Sequence, residues 1–233
     1  MTTLLGLDTA TEACSVAVWQ DGELTSRFEN VGRHHSEKLL PMVQSVLDEA
    51  GCRLADIDAF ACGVGPGSFV GVRVGVGVVK GMALALDRPC VAVSSLELLA
   101  RGVDLDVGET VAVAIDARMS ELYFGAYRRG HEGALDCVES PRVCPPEALP
   151  ESMAQAIAVG TGWTAYKQAL KCGAVRRTEF GTGTDLPDIA VGMADAAVRV
   201  LSGKGLTSAA ALEPIYLRNQ IALTLEEQRK ARS

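Results

Sequence analysis

The chain has 233 residues, of which 48% are apolar and 22% charged, and it carries a formal net charge of −7 with a pI near 5.1. This composition is typical of a soluble globular protein that can bury a sizeable core. The acidic balance argues against a free-standing nucleic-acid binder, because such a protein depends on basic contacts to phosphates.

The N-terminus and the cysteines indicate a cytoplasmic chain. The opening residues MTTLLGLDTA lack the basic region of a signal peptide, and no apolar stretch of about eighteen residues is without a charge, so we expect no membrane helix. The seven cysteines are scattered and form no CxxC pair. We therefore expect free thiols, mostly buried as small apolar side chains.

The first predicted element is a β-hairpin that the sequence contains twice. A strand ends at Asp8, a polar turn follows, and a second strand that ends at Trp19 leads into an Asp-Gly turn. The pattern returns 108 residues later, where Asp116 and Tyr127 hold the equivalent positions. The repeat predicts an α/β protein with two duplicated lobes, at residues 1–103 and 104–212.

A helix is predicted after the first hairpin, over residues 36–50. Ser36 is a candidate cap and Gly51 a stop signal. Its apolar residues recur at helical spacing and include Leu39, Leu40, Val43 and Leu47.

The glycine-rich run of residues 63–81 matches neither phosphate-binding template. A P-loop requires Ser or Thr after its Gly-Lys pair, and here the order is Lys80-Gly81 with methionine next. A dinucleotide-binding loop requires GxGxxG, and Ser68 stands at the sixth position. The alternating valines favour a strand, but the run joins two buried strands, and a parallel crossover is usually helical. We predict a helix over residues 68–86.

Four glycines inside this helix would each cost about 1 kcal/mol relative to alanine. A closely packed neighbour would offset that loss, and Gly67, Gly71 and Gly75 recur at four-residue spacing. The neighbour could lie within this chain or belong to a partner, and the residues alone do not decide between them.

The second half contains weaker signals. The segment SPRVCPPEALP is predicted to be a surface connection, AIAVGTGW a buried strand with a glycine turn, and residues 188–202 an amphipathic helix.

No catalytic, cofactor or metal residues are predicted. Two helical metal ligands need four-residue spacing, and the residues four after His34 and His35 are Lys38 and Leu39. His35 is instead expected to be a cap or surface residue. Asp8 lies at a strand end, where α/β folds place ligand groups, but we expect it to hydrogen-bond its own turn.

Several motifs together resemble the TsaB family, formerly YeaZ. They are LDTATEACSVAV at 7–18, HSEKLLPM at 35–42, GPGSFVGVRVG at 65–75, IDARMSELY at 115–123 and EPIYLR at 213–218. The sequence departs from the usual pattern at Val70, where the family usually has Thr, and at Met119-Ser120, where it usually has Arg-Gly or similar.

The resemblance implies an actin-like (ASKHA, ribonuclease H-like) fold in which residues 213–233 return to the first lobe. It implies a non-catalytic scaffold that binds a TsaD-type transferase and a TsaE-type ATPase, contacts tRNA only through the complex, and forms a homodimer when alone. The transferase moves a threonylcarbamoyl group onto the tRNA adenosine next to the anticodon. The implied partner interface is the pair of predicted helices, with Leu39, Leu40, Val43, Leu47, Gly67, Gly71, Val72, Gly75 and Val76.

Two other classes are weighed against this scaffold. An active small ATPase or kinase of the actin-like fold would use Asp8, Thr9, Thr11 and the VGTGW turn at 159–163 in the cleft between the lobes. A metallopeptidase is contradicted by the histidine spacing.

Overall fold

The computed structural model describes residues 2–170, 176–177 and 185–218, and it contains two five-stranded sheets. The first sheet has the strand order β3-β2-β1-β4-β5. Its strands are β1 (Thr3–Asp8), β2 (Ala13–Gln20), β3 (Glu23–Asn30), β4 (Ala59–Gly63) and β5 (Cys90–Val93).

The second sheet repeats this topology. Its strands are β6 (Thr110–Asp116), β7 (Leu122–Arg129), β8 (Leu135–Cys144), β9 (Ile157–Val159) and β10 (Arg176–Arg177), in the order β8-β7-β6-β9-β10. In both sheets the first strand pairs antiparallel with the second and parallel with the fourth. The predicted repeat of the hairpin is confirmed, because β1 ends at Asp8 and β6 ends at Asp116.

Five α-helices accompany the sheets among the described residues: α1 (His35–Ala50), α2 (Phe69–Leu86), α3 (Ser95–Arg101), α4 (Gly162–Ala165) and α5 (Met193–Ser202). The predicted crossover helix is confirmed, since α2 joins the parallel strands β4 and β5. Ser68 caps α2 by accepting a hydrogen bond from the backbone N–H of Gly71 at 3.2 Å.

Other local predictions need correction. Ser36 is not a cap, because α1 already begins at His35, although Gly51 ends it as expected with φ 67°. The first half of the predicted proline-rich connection is the end of the edge strand β8, and its Pro141 lies at an irregularity in the pairing with β7, where proline is tolerated. The helix predicted over 188–202 divides into a 3-10 turn at Ile189–Gly192 followed by α5.

The two lobes share packing through α3 and α5. Helices α1 and α2 belong to one core cluster with the first sheet, and α5 packs on that sheet through Met193 and Ala196. Helix α3 lies between the lobes, with Leu98 toward the first sheet and Leu96 and Leu99 toward the second. Helix α3 of the first lobe thus packs on the second sheet, and α5 of the second lobe packs on the first sheet. The lobe boundaries at residues 103 and 212 stay predictions.

The chain returns to the first lobe before its end. The backbone N–H of Ile215 donates to the carbonyl of Val64 at 2.8 Å. The predicted return of residues 213–233 can be followed through 218, and residues 219–233 lie outside the described residues.

Candidate functional site: the interlobe cleft and the exposed face of α2

The turn after β1 is buried and satisfied by its own chain. Asp8 has no exposed surface, and its Oδ1 accepts a hydrogen bond from the backbone N–H of Ala10 at 3.0 Å. Its Oδ2 accepts a hydrogen bond from the Ser95 hydroxyl at 3.2 Å. A Cβ at Gly63 would lie 1.8 Å from that same oxygen, so only glycine fits there. Asp8 thus binds its own turn, as expected, and also holds the start of α3.

Burial dominates the electrostatics of Asp8. It raises the pKa of the carboxyl to about 6, and the charge of Asp188 adds to the rise, while the hydrogen bonds from Ala10 and Ser95 oppose it. Burial also raises the pKa of the neighbouring Cys14 and Cys62 thiols. These cysteines are therefore protonated and unreactive near neutral pH.

Helix α2 packs directly against the turn after β1. The Thr9 hydroxyl donates to the carbonyl of Gly71 at 2.7 Å, and Thr9 has no exposed surface. A Cβ at Gly67 would lie 2.0 Å from the carbonyl oxygen of Ala10, one at Gly71 2.2 Å from that of Thr9, and one at Gly75 2.4 Å from the Thr9 Oγ1. The close neighbour of these three glycines is therefore a turn of this chain.

We expect Thr9→Val to lower the free energy of unfolding by about 1 kcal/mol, because it removes the hydrogen bond to Gly71 and keeps the shape of the side chain. Urea denaturation monitored by circular dichroism measures the change. Thr25→Val on the edge strand β3 is a control that should be close to neutral. Unchanged stability of Thr9→Val would contradict the observed hydrogen bond.

The cleft between the lobes has a volume of about 950 Å³. Arg118 spans it, with its guanidinium 3.0 Å from Glu12 of the first lobe and 2.8 Å from Asp116 of the second. Asp116 also accepts hydrogen bonds from the Tyr166 hydroxyl and the Arg118 backbone. Both strand-end carboxylates, Asp8 and Asp116, are thus engaged within the chain.

The turn after β6 has an unusual backbone. Arg118, Met119 and Ser120 all have positive φ, at 61°, 54° and 58°, a region that favours glycine. Arg218 stabilises the turn by donating to the carbonyls of Ala117 and Arg118 and pairing with the Glu121 carboxylate. Ser120 therefore adopts a backbone conformation that glycine adopts more readily.

The neighbouring histidines His34 and His35 lie in different environments. His35 is buried, with Nε2 3.2 Å from the carbonyl oxygen of Ala13, so the expectation of a cap or surface residue is wrong. His34 is exposed and lies 3.3 Å from the Glu37 carboxylate. Within the part of the chain that the structure describes, no group of three or more His, Cys, Asp or Glu side chains could hold a metal ion.

The predicted interface residues are mostly in the core. Leu39, Val43, Leu47, Gly71, Val72, Gly75 and Val76 are all buried. Gly67 is half-buried against Ala10, and Leu40 is the exposed member of the set, at 55%. Within the chain these buried residues join α1 and α2 to the first sheet. Their assignment to a partner surface stays a prediction.

The opposite face of α2 is apolar and exposed. Val70 is 67% and Leu84 61% exposed, and both lie seven residues from Gly77 on one face of the helix. A Cβ at Gly77 or Gly81 would meet no atom within 4 Å. We call these four residues, Val70, Gly77, Gly81 and Leu84, the exposed α2 stripe. The glycine pair was visible in the sequence, but the alternating valines did not show which glycines face outward.

Helix α2 is also the one described helix with the length and composition of a membrane span, with 18 residues and a mean hydropathy of 1.7. It packs against β4, β1 and α1. A core helix of a soluble protein passes the same test, so the finding is weak evidence for a membrane.

These features define a two-lobed α/β protein whose crossover helix α2 covers the turn after β1 and exposes an apolar stripe on its other face. The family model of TsaD, tRNA N6-adenosine threonylcarbamoyltransferase, matches residues 28–215. The "tRNA threonylcarbamoyladenosine biosynthesis protein TsaB" of Escherichia coli is 41% identical and that of Haemophilus influenzae 40% identical, each over 94% of this chain and over 96% and 94% of the relative. The chain belongs to the TsaB family, and the predicted actin-like (ASKHA) fold is confirmed.

A solved structure agrees with this assignment. The structure named "YeaZ from Pseudomonas aeruginosa" has 41% identity and a TM-score of 0.82, and the match covers 93% of this chain and all of that one.

Proposed function

We propose that this chain is a non-catalytic cytoplasmic subunit that binds a TsaD-type transferase and thereby supports threonylcarbamoylation of the tRNA adenosine next to the anticodon. The names of its relatives supply the pathway. The observation that carries the non-catalytic role is the Thr9 hydroxyl, which is buried and bonded to Gly71 and so has no proton to offer a phosphate.

The exposed α2 stripe supports the partner role. Glycines without neighbours let the backbone of a second helix approach closely, and the flanking Val70 and Leu84 provide apolar area to bury. The TsaD family model itself matches most of this chain. We therefore expect a TsaD-type partner to have a similar fold, with helices equivalent to α1 and α2. A second copy of this chain fits the same face, as the family resemblance implies. The TsaE-type ATPase and contact with tRNA through the complex stay predictions from that resemblance.

Reconstitution of the modification tests this role directly. With a TsaC-type synthase and TsaD- and TsaE-type proteins, omission of this chain should reduce threonylcarbamoylated tRNA by about tenfold or more. Mass spectrometry of the digested tRNA measures the product, and an equal amount of serum albumin serves as the control. Equal yield without the chain would refute the proposal.

An ATPase or kinase remains the alternative to test. Calorimetric titration of the chain with ATP and Mg²⁺ should show no binding at micromolar concentrations, because Asp8 and Thr9 are buried and hydrogen-bonded. Micromolar binding that Thr9→Val weakened would favour the alternative.

A further inference from the structure

We propose that the partner surface contains a third element, the C-terminal strap (residues 210–218), and that Phe69, Arg73 and Tyr216 together anchor a carboxylate of the TsaD-type partner. This inference rests on the proposed function. To the proposed helical surface it adds Phe69 and Arg73 of α2, together with Tyr216, which lies outside both helices.

The three side chains form a stack at the mouth of the cleft. The Arg73 guanidinium carbon lies 3.4 Å from the centre of the Phe69 ring and 4.8 Å from that of Tyr216. Its Nη1 also donates to the carbonyl of Phe69 at 2.7 Å, which fixes the planar group between the rings. Phe69 and Tyr216 are still 55% and 52% exposed, so the stack is built within the chain and open to a partner.

The strap lies along one flank of α2. Lys80 Nζ donates to the carbonyl of Ala210 at 3.0 Å, and the Ile215 N–H donates to Val64. On the other flank, Val74, Val78 and Met82 pack against the core cluster to which α1 contributes. The exposed α2 stripe runs between the two flanks, because Arg73 and Lys80 lie on one side of Gly77 and Val74 and Val78 on the other. A helix that covers the stripe therefore also reaches the stack.

The charge of the stack specifies the partner's chemistry. Among the described residues, Arg73 has no carboxylate within ion-pair distance. Four arginines line the cleft. Arg118 pairs with Glu12 and Asp116, and Arg218 pairs with Glu121, whereas Arg33 is exposed and forms no ion pair among the described residues. Arg73 differs from Arg33 in being held in place by the two aromatic rings. A guanidinium that becomes buried in an interface needs an acceptor, and on a chain of net charge −7 the uncompensated cation selects a carboxylate. Arginine and tyrosine are also the residues most enriched at binding hot spots.

The test measures binding of the full chain to its cognate TsaD-type transferase by isothermal titration calorimetry. We expect Arg73→Ala and Tyr216→Ala each to raise the Kd by about tenfold or more. Arg73→Ala should also flatten the dependence of Kd on salt, because it removes one charge pair. Val198→Ala, at an exposed apolar position of α5, is the matched control and should leave the Kd within about twofold. Unchanged melting temperatures verify that the variants are folded.

Gly77→Leu separates this inference from the proposed function. If Gly77→Leu abolishes binding while Arg73→Ala and Tyr216→Ala bind like the wild type, the third element is wrong and the helical surface stands. If Gly77→Leu also binds like the wild type, both are overturned. Loss of affinity in the two stack variants with an unchanged salt dependence would overturn the carboxylate.

Discussion

Replacement of Gly71 by leucine is expected to unfold the first lobe. A Cβ at this position would lie 2.2 Å from the carbonyl oxygen of Thr9, and a backbone atom cannot move away as a flexible side chain can. The whole turn that joins β1 to β2 would have to shift, together with the Thr9–Gly71 hydrogen bond. Overpacking of this kind costs about 3 kcal/mol or more, a large fraction of the stability of a domain.

Gly77→Leu on the same helix should have the opposite effect on stability. A Cβ at this position would meet no atom within 4 Å, and leucine is a better helix former than glycine. We expect the free energy of unfolding to rise by up to about 0.8 kcal/mol. The same side chain would hold a partner helix away from the α2 backbone, so association with a TsaD-type partner should be lost.

The two variants form a matched pair that separates folding from association. Chemical denaturation measures their stability, and size-exclusion chromatography with the transferase measures their assembly. Gly81→Leu should behave like Gly77→Leu, because its surroundings are equally open. A folded Gly71→Leu variant that fails to bind would contradict the assignment of Gly71 to the core.

The fold could be predicted from the sequence wherever local pattern and connectivity agree. The repeated hairpin has strands of alternating or continuous apolar residues, and its first strand ends in a carboxylate. The same pattern occurs in the sequence of both lobes. The crossover argument identified α2 although its valines alternate like a strand, because two parallel neighbouring strands need a helical connection. The exchange of α3 and α5 between the sheets leaves no local signal, since an amphipathic helix does not specify which sheet it covers.

The candidate surface could be predicted only in part. An apolar stripe such as Leu39, Val43 and Leu47 indicates that one face of α1 is covered, but a core and a partner provide the same cover. Glycines on α2 face both ways, with Gly71 against Thr9 and Gly77 in the open. Which of them meets the chain itself depends on where the β1–β2 turn lies, and that is a tertiary contact over 62 residues.

The buried carboxylate of Asp8 should make the protein more stable as the pH falls from 6 to 4. Its pKa is about 6 in the folded protein and 3.8 ordinarily, so in this window the folded state binds more protons than the unfolded state. The free energy of unfolding therefore decreases as the pH rises through the window and is level above it. The full shift corresponds to about 3 kcal/mol. The pKa of Asp188 is also raised by burial, so it adds a slope of the same sign.

Asp8→Asn tests this directly, because it keeps the shape and the acceptor for the Ala10 N–H but carries no charge, and Ser95 can reorient its hydroxyl to accept from the amide. We expect the variant to be more stable than the wild type at pH 7 by about 1–3 kcal/mol and to lose most of the pH dependence between 4 and 6. Urea denaturation at intervals of pH measures both effects. Asp56→Asn is the control: the pKa of Asp56 is lowered to about 2 by hydrogen bonds from Arg53, so this variant should change the pH dependence only below about pH 4 and lower the stability above that pH by a constant amount. An Asp8→Asn profile that runs parallel to the wild type from pH 4 to 7 would mean that Asp8 is ionised in the folded protein throughout this range. That result would contradict the rise of its pKa by burial.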